Sequence, residues 1–172
     1  MKKIHLEQIA LKHKDEIYKI KNEYDNKNED YNGAFFIKDI DNYEELIEKL
    51  DNYSQGKMDN PNYVPYTCYV ATTDDGKIIG LGSLRHELND YLKKFGGHIG
   101  YSVIPSERKK GYGTKILSLL LTEAKKKKIK EVLVTCNIDN IGSSKVIENN
   151  NGKLENKIEH DNITTCRYWI KL

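Results

Sequence analysis

The segment from His98 to Cys136 limits the fold more than any other part of this chain. His98 to Ile104 reads as a strand and is stopped by Pro105. The loop Arg108-Lys109-Lys110-Gly111-Tyr112-Gly113 follows and leads into a helix over about Tyr112 to Lys127. On that helix Ile116, Leu117, Leu120, Leu121 and Ala124 recur at helical spacing and form one apolar face. Glu131 to Cys136 is then a short, largely apolar strand of the kind buried on both faces. A strand, a helix and a strand in succession need a crossover, so the two strands should lie parallel in one sheet.

The loop at the centre of this unit is an anion cradle by construction. Glycine lets the backbone turn tightly and approach a ligand closely. The first N–H groups of a helix lack internal partners and carry the positive end of its dipole. A pyrophosphate suits such a place, and Arg108, Lys109 and Lys110 add positive charge beside it. A nucleoside-triphosphate P-loop would need Gly-x-x-x-x-Gly-Lys-Ser/Thr, which is absent. The dinucleotide fingerprint would need a third glycine where Ile116 stands. Taken alone, Gly-x-Gly at a helix start is equally compatible with an ordinary flexible loop.

The rest of the chain builds around this unit. Ile9, His13, Ile17, Ile20 and Tyr24 fall on one helix face, and an Asn/Asp-rich break covers Asp25 to Asn32. A second helix is predicted from about Asn42 to Leu50, with Asp41 and Glu44 spaced as a capping box. Ser54 to Pro65 reads as loop. Tyr66 to Thr73 and Lys77 to Arg85 read as strands joined by the turn Asp74-Asp75-Gly76. After Cys136 come a helix at Ile141 to Asn149 and strands at Lys153 to Glu159 and Ile163 to Leu172. The predicted fold class is α+β (mixed α/β): one domain spanning 1–172, with a central twisted mixed β-sheet and helices on both faces.

Composition narrows the function. The 172 residues fit one domain with its own core, and 38% hydrophobic content spread along the chain argues against disorder. A net charge of +2 without a dominant basic stripe gives no reason to expect a nucleic acid partner. Cys68, Cys136 and Cys166 are far apart and include no Cys-x-x-Cys, so neither a disulfide framework nor a metal site is expected. The N-terminus lacks the apolar stretch of a signal peptide, and no run approaches a membrane span. The expectation is a cytoplasmic protein with no membrane partner.

With its context, the glycine loop is more specific. Residues 97–152 resemble the acetyl-CoA-binding core of the GNAT superfamily of N-acetyltransferases. Arg108-x-x-Gly111-x-Gly113 matches the family's Arg/Gln-x-x-Gly-x-Gly/Ala motif, and Ile99 to Pro105 looks like its central strand. Asn140-Ile141-Gly142-Ser143 opens a helix where the family has Asn-x-x-Ala/Ser, and Asn149 to Gly152 resembles the region before the next strand. The resemblance divides the chain into a variable helical acceptor-side region, 1–65, and a cofactor-binding core, 66–172.

What the resemblance implies is an enzyme that moves an acetyl group from acetyl-CoA to a primary amine by direct transfer in a ternary complex. The alternative is a non-catalytic acyl-CoA-binding sensor or interaction module of the same fold. Cofactor contacts would fall on Val103 and Ile104 of the splayed central strand, on Arg108, Lys109, Lys110, Gly111, Tyr112, Gly113 and Thr114, and on Asn140 and Ser143. Asn140 also suits a helix N-cap. The family often places a tyrosine acid seven residues after the motif asparagine, and here that position is Ile147. His98 is the candidate base, with a structural or acceptor-binding histidine as the equal alternative and Glu87 close by; Cys136, Tyr101 and Tyr112 are the substitutes for the acid. Arg85 would suit a carboxylate on the acceptor. The acceptor is expected to be a small-molecule or peptide amine, and the exposed final strands could pair two subunits as a homodimer.

Overall fold

A computed structural model describes residues 2–172. In chain order it contains β1 (Ile4–Gln8), α1 (Lys14–Asn26), α2 (Tyr43–Ser54), β2 (Tyr66–Thr73), β3 (Ile78–Arg85), β4 (Ile99–Val103), α3 (Tyr112–Lys126), β5 (Glu131–Asn137), α4 (Ile141–Glu148), β6 (Lys153–His160) and β7 (Ile163–Lys171). Every predicted element is present, and β1 is an addition. It pairs antiparallel with β2, from Ile4 opposite Thr73 to Gln8 opposite Tyr69. The helical series read from Ile9 begins one element too early. Ile9 is buried at the end of β1, where its N–H donates to the Cys68 carbonyl at 3.0 Å, and α1 starts only at Lys14. The cap of α2 is also displaced by one residue: Asn42, not Asp41, accepts the Glu45 N–H at 3.2 Å.

The strands form two antiparallel sheets, ordered β1-β2-β3-β4 and β5-β7-β6. The predicted sheet is therefore two halves that meet where β4 lies beside β5. Contact there is confined to one end. The His98 N–H donates to the Leu133 carbonyl at 2.7 Å, and the Leu133 N–H donates to His98 Nδ1 at 2.9 Å. Gly97 makes this approach feasible, because a Cβ at that position would lie 2.5 Å from the Leu133 carbonyl oxygen. Beyond His98 the strands part, and β4 keeps a ladder only with β3.

Two apolar layers hold the first sheet. On one side α3 sets Ile116, Leu117 and Leu120 against Ile79, Leu84 and Ile99, continuing to Val132 and Val134 of β5. On the other, Ile17, Ile20 and Tyr24 of α1 and Tyr43 and Leu50 of α2 cover Val70 and Leu81. This is why β2 and β3 are buried almost throughout and do not alternate between buried and exposed residues. Tyr24 of α1 reaches β4, where its hydroxyl meets Ser102 Oγ at 2.5 Å.

The clip at His98 makes stability depend on pH. Burial, and then the Arg85 charge, push the His98 pKa down to about 4. An unfolded histidine titrates near 6.5, so below that pH the unfolded chain takes up a proton that the folded chain refuses. Stability contributed by neutral His98 is thus complete above about pH 6.5 and is lost as pH falls toward 4. Denaturant unfolding at pH 7 and pH 5 should differ by about 2 kcal/mol on account of this residue. His98→Leu should remove that increment and weaken the protein at pH 7, because the buried Leu133 N–H loses its acceptor.

Candidate functional site

The parting of β4 from β5 opens a cleft of about 880 Å³. Ile99 to Val103 form one wall and Thr135 to Asn137 the other. One end is closed by the Arg108–Thr114 loop and the start of α4, and the other carries Phe35, Arg85, Phe95 and Thr165. Residues 28–33 lie across the first wall. Gly33 packs so tightly that a Cβ there would come within 2.1 Å of the Tyr101 carbonyl oxygen, and its φ of +78° also requires glycine.

At the loop end, Gly111 takes φ +81° as the N-cap of α3 and supplies no side chain to cap it. Lys109 is also left-handed, at φ +63°. Left-handed residues interleaved with ordinary ones curve the backbone into a concavity suited to an anion, and the uncapped helix start lies directly behind it. Gly113 lets α3 approach its neighbours: a Cβ there would be 3.1 Å from Val146 Cγ2 and 3.6 Å from Val103 Cγ2. Arg108 Nη1 is 2.8 Å from Glu29 Oε1, which spans the cleft mouth, and Nε donates to the Val103 carbonyl at 3.3 Å.

In the middle of the cleft, the Tyr101 hydroxyl meets Ser143 Oγ at 2.9 Å. Ser143 is fixed by Asn140, whose Oδ1 accepts the Ser143 N–H at 3.0 Å and caps α4. Burial raises the Tyr101 pKa well above that of a free phenol, so the hydroxyl keeps its proton. Burial likewise pushes the Cys136 thiol up to about 11, so it stays protonated at neutral pH.

Of the residues expected at a cofactor, Val103, Arg108, Lys109, Gly111, Tyr112, Gly113, Thr114, Asn140 and Ser143 line this cleft. Ile104 does not. Its side chain is buried in the layer under α1 and α2, and its N–H donates to the Ile79 carbonyl at 3.1 Å. Lys110 turns away to pair with Glu107 at 2.9 Å, a carboxylate that Lys77 also holds. Of the three catalytic candidates only Tyr101 faces the cleft. His98 is buried off the cleft wall with Nδ1 occupied by Leu133, and Glu87 is exposed beyond the end of β3. Ile147 is fully buried in the core. The wall at 28–33 and the Phe35 and Phe95 rings were not anticipated. The signal available was Gly33 after the Asn/Asp-rich break.

The family described as an acetyltransferase (GNAT) domain matches residues 3–153. The chain belongs to the GNAT acetyltransferase family. Solved structures of the same fold span nearly its whole length. RimL, a ribosomal L7/L12 alpha-N-protein acetyltransferase, is 17% identical with a TM-score of 0.65, covering 98% of this chain and 90% of its own. Spermidine N-acetyltransferase from Vibrio cholerae, solved with CoA and spermine, is 16% identical with a TM-score of 0.64, covering 98% and 95%. Mycobacterium smegmatis RimJ, in complex with CoA-disulfide, is 14% identical with a TM-score of 0.71, covering 98% and 81%. No curated protein matches the sequence. As a GNAT acetyltransferase the protein is acetyl-CoA-dependent. The residues present fit that group: an uncapped helix start and Arg108 would face its pyrophosphate, and Val103 and Val146 line the cleft beside them. Among the described residues no cluster of metal-ligating side chains occurs, and no helix is long and apolar enough to cross a membrane.

Glu29 competes with any anion for Arg108. Partly exposed ion pairs contribute up to about 1 kcal/mol, so Glu29→Gln should tighten CoA binding about two- to fivefold at low salt in a calorimetric titration. Gly113→Val should abolish that binding and also lower the melting temperature, because Val146 and Val103 must give way; circular dichroism checks that the secondary structure is kept.

Proposed function

We propose that the protein acetylates a primary amine by direct attack on acetyl-CoA, with both substrates held between β4 and β5. The observation that carries this reading is the free edge of β4: it faces a cleft with an anion cradle at one end and a hydroxyl pair midway. Acetyl-CoA brings an activated thioester. In this reading the Arg108–Thr114 backbone holds its pyrophosphate, and the unpaired edge at Tyr101 to Val103 offers main-chain groups to the pantetheine arm and an N–H to the thioester oxygen. Asn140 orients Ser143, which in turn fixes Tyr101.

An alkyl amine is mostly protonated at neutral pH and must lose that proton before attack. His98, with its depressed pKa and occupied Nδ1, is not assigned this step. Glu29 and Asp30 are the carboxylates on the cleft wall and are assigned to receive the proton, directly or through water. The Tyr101–Ser143 pair is assigned to return one to the departing thiolate. Ile147 on its own would favour a non-catalytic relative of the fold; in this reading Tyr101 supplies from β4 the phenol that α4 lacks. The region 1–65 builds the acceptor side through residues 28–35. The same proposal places the protein in the cytoplasm, where Cys68, Cys136 and Cys166 stay reduced, and pairs it as a homodimer through the exposed edge strand β6.

Acetyl-CoA at about a hundred times its Kd should stabilise the fold by roughly 2.7 kcal/mol, with ATP and NAD as inert controls. Acetylation in a broad amine panel should follow, and its absence despite the shift would favour the non-catalytic relative. For the acid, Tyr101→Phe should leave CoA affinity unchanged and lower kcat about a hundredfold or more. An unaltered kcat would remove Tyr101 from the reaction.

A further inference from the structure

The second end of the cleft carries a charge that the transfer reaction does not use. Arg85 closes β3 and presents its guanidinium to the cleft beside Phe35, Phe95 and Thr165. The chain has three arginines. Arg108 pairs with Glu29 and Arg167 with Glu155, but among the described residues no carboxylate stands within ion-pair distance of Arg85. The titratable groups around it are Cys68, Tyr66 and Tyr91, with His98 also feeling its charge, and none of these is an anion at neutral pH by its ordinary chemistry. Its protein acceptors are the Gly96 and Gly97 carbonyls, both 3.4 Å from the same Nη1 and at the outer limit of a hydrogen bond. The guanidinium carbon lies 5.7 Å from the centre of the Phe35 ring.

A largely buried cation without a counterion is costly, and a planar fork of N–H donors is underused here. The position is close to the reaction centre. A Cβ on Gly100, the residue before Tyr101, would lie 3.8 Å from Arg85 Nη1. No second basic side chain lines this end; the other cleft cations, Arg108 and Lys109, belong to the cradle. A lone guanidinium on an aromatic floor matches a planar monoanion bound bidentately, whereas a phosphate dianion calls for more than one cation. We propose that the acceptor is an amine that also carries a carboxylate, and that Arg85 binds that carboxylate and turns the amine toward β4. This rests on the acetyltransferase reading and names its substrate class. The same charge disfavours polyamines, whose second cation would face Arg85.

The test uses the full chain saturated with CoA. N-acetyl amino acids and their carboxamides are titrated pair by pair, alongside spermine and O-phosphoethanolamine. At least one acid should bind ten times more tightly than its amide. Arg85→Gln should reduce that ratio to within twofold, and Arg85→Lys should retain part of it. CoA affinity should be unchanged in both variants, which also shows that they fold. In turnover, Arg85→Gln should raise KM for the matching free amino acid with kcat little altered. Equal binding of acids and amides, no binding of either, tighter binding of spermine or phosphoethanolamine, or discrimination that survives in Arg85→Gln would each overturn the inference. Arg85-dependent selection of an acid without any acetylation of its amine would instead overturn the transfer reaction and leave the carboxylate site standing.

Discussion

The two hydrogen bonds between His98 and Leu133 are where this architecture is decided. One joins backbone to backbone, as a sheet would. The other gives the Leu133 N–H to an imidazole nitrogen instead of a carbonyl. A side chain standing in for the neighbouring strand satisfies the buried donor but cannot extend a ladder. The next residues of β4 and β5 therefore separate, and the edge of β4 faces a cleft with its main-chain groups unmatched by β5. Because α3 packs across both strands, the separation is braced: Leu84 and Ile99 on one half and Val132 and Val134 on the other share its apolar face. A ligand that enters the opening meets a strand edge that β5 leaves unpaired.

Charge is arranged along this opening with a difference between its ends. At the cradle, Arg108 is neutralised by Glu29 across the mouth, and Lys110 by Glu107. An anion that binds there exchanges one partner for another, which moderates affinity and makes it sensitive to salt. At the far end Arg85 has no such partner among the described residues and sits beside an aromatic ring, with β4 passing next to it. The cradle thus uses backbone dipoles and a shared arginine, while the far end relies on a single oriented side chain.

Much of this was legible in the sequence because it is written in local patterns. The strand, glycine loop and long helix from His98 to Lys126 announce themselves by period and by residue type, and the nine cofactor positions that line the cleft are all within such patterns. Ile104 and Lys110 were misplaced because spacing locates a residue along the chain but not around it. Ile104 alternates to the opposite face of β4, and Lys110 finds a closer anion in Glu107. For His98 the sequence left a base and a structural histidine equally open, for a related reason. Its residue type suits proton transfer, but its protonation is governed by burial and its nitrogen by a strand some distance away in sequence. Strand β1 escaped because its five residues merge with the helical series that follows, and only pairing with β2 separates them.

The side of the cleft proposed for the acceptor was the least legible, and the reason is physical. Its wall at residues 28–33 has no secondary-structure period; Gly33 is pressed against the Tyr101 backbone, Glu29 pairs with Arg108, and Tyr31 bonds to Asp25 and Lys21 of α1. Phe35 belongs to the same connection, yet its ring lies beside Arg85 from the end of β3 and Tyr66 from the start of β2. Three elements distant in sequence therefore build one small surface, and no one of them carries a motif. What makes that surface interpretable is the absence of a counterion rather than the presence of a pattern. An arginine ion-paired within the protein would say only that the fold is stable; among the described residues Arg85 faces the cleft with no carboxylate within ion-pair distance, and the proposed acceptor carboxylate would fill that role.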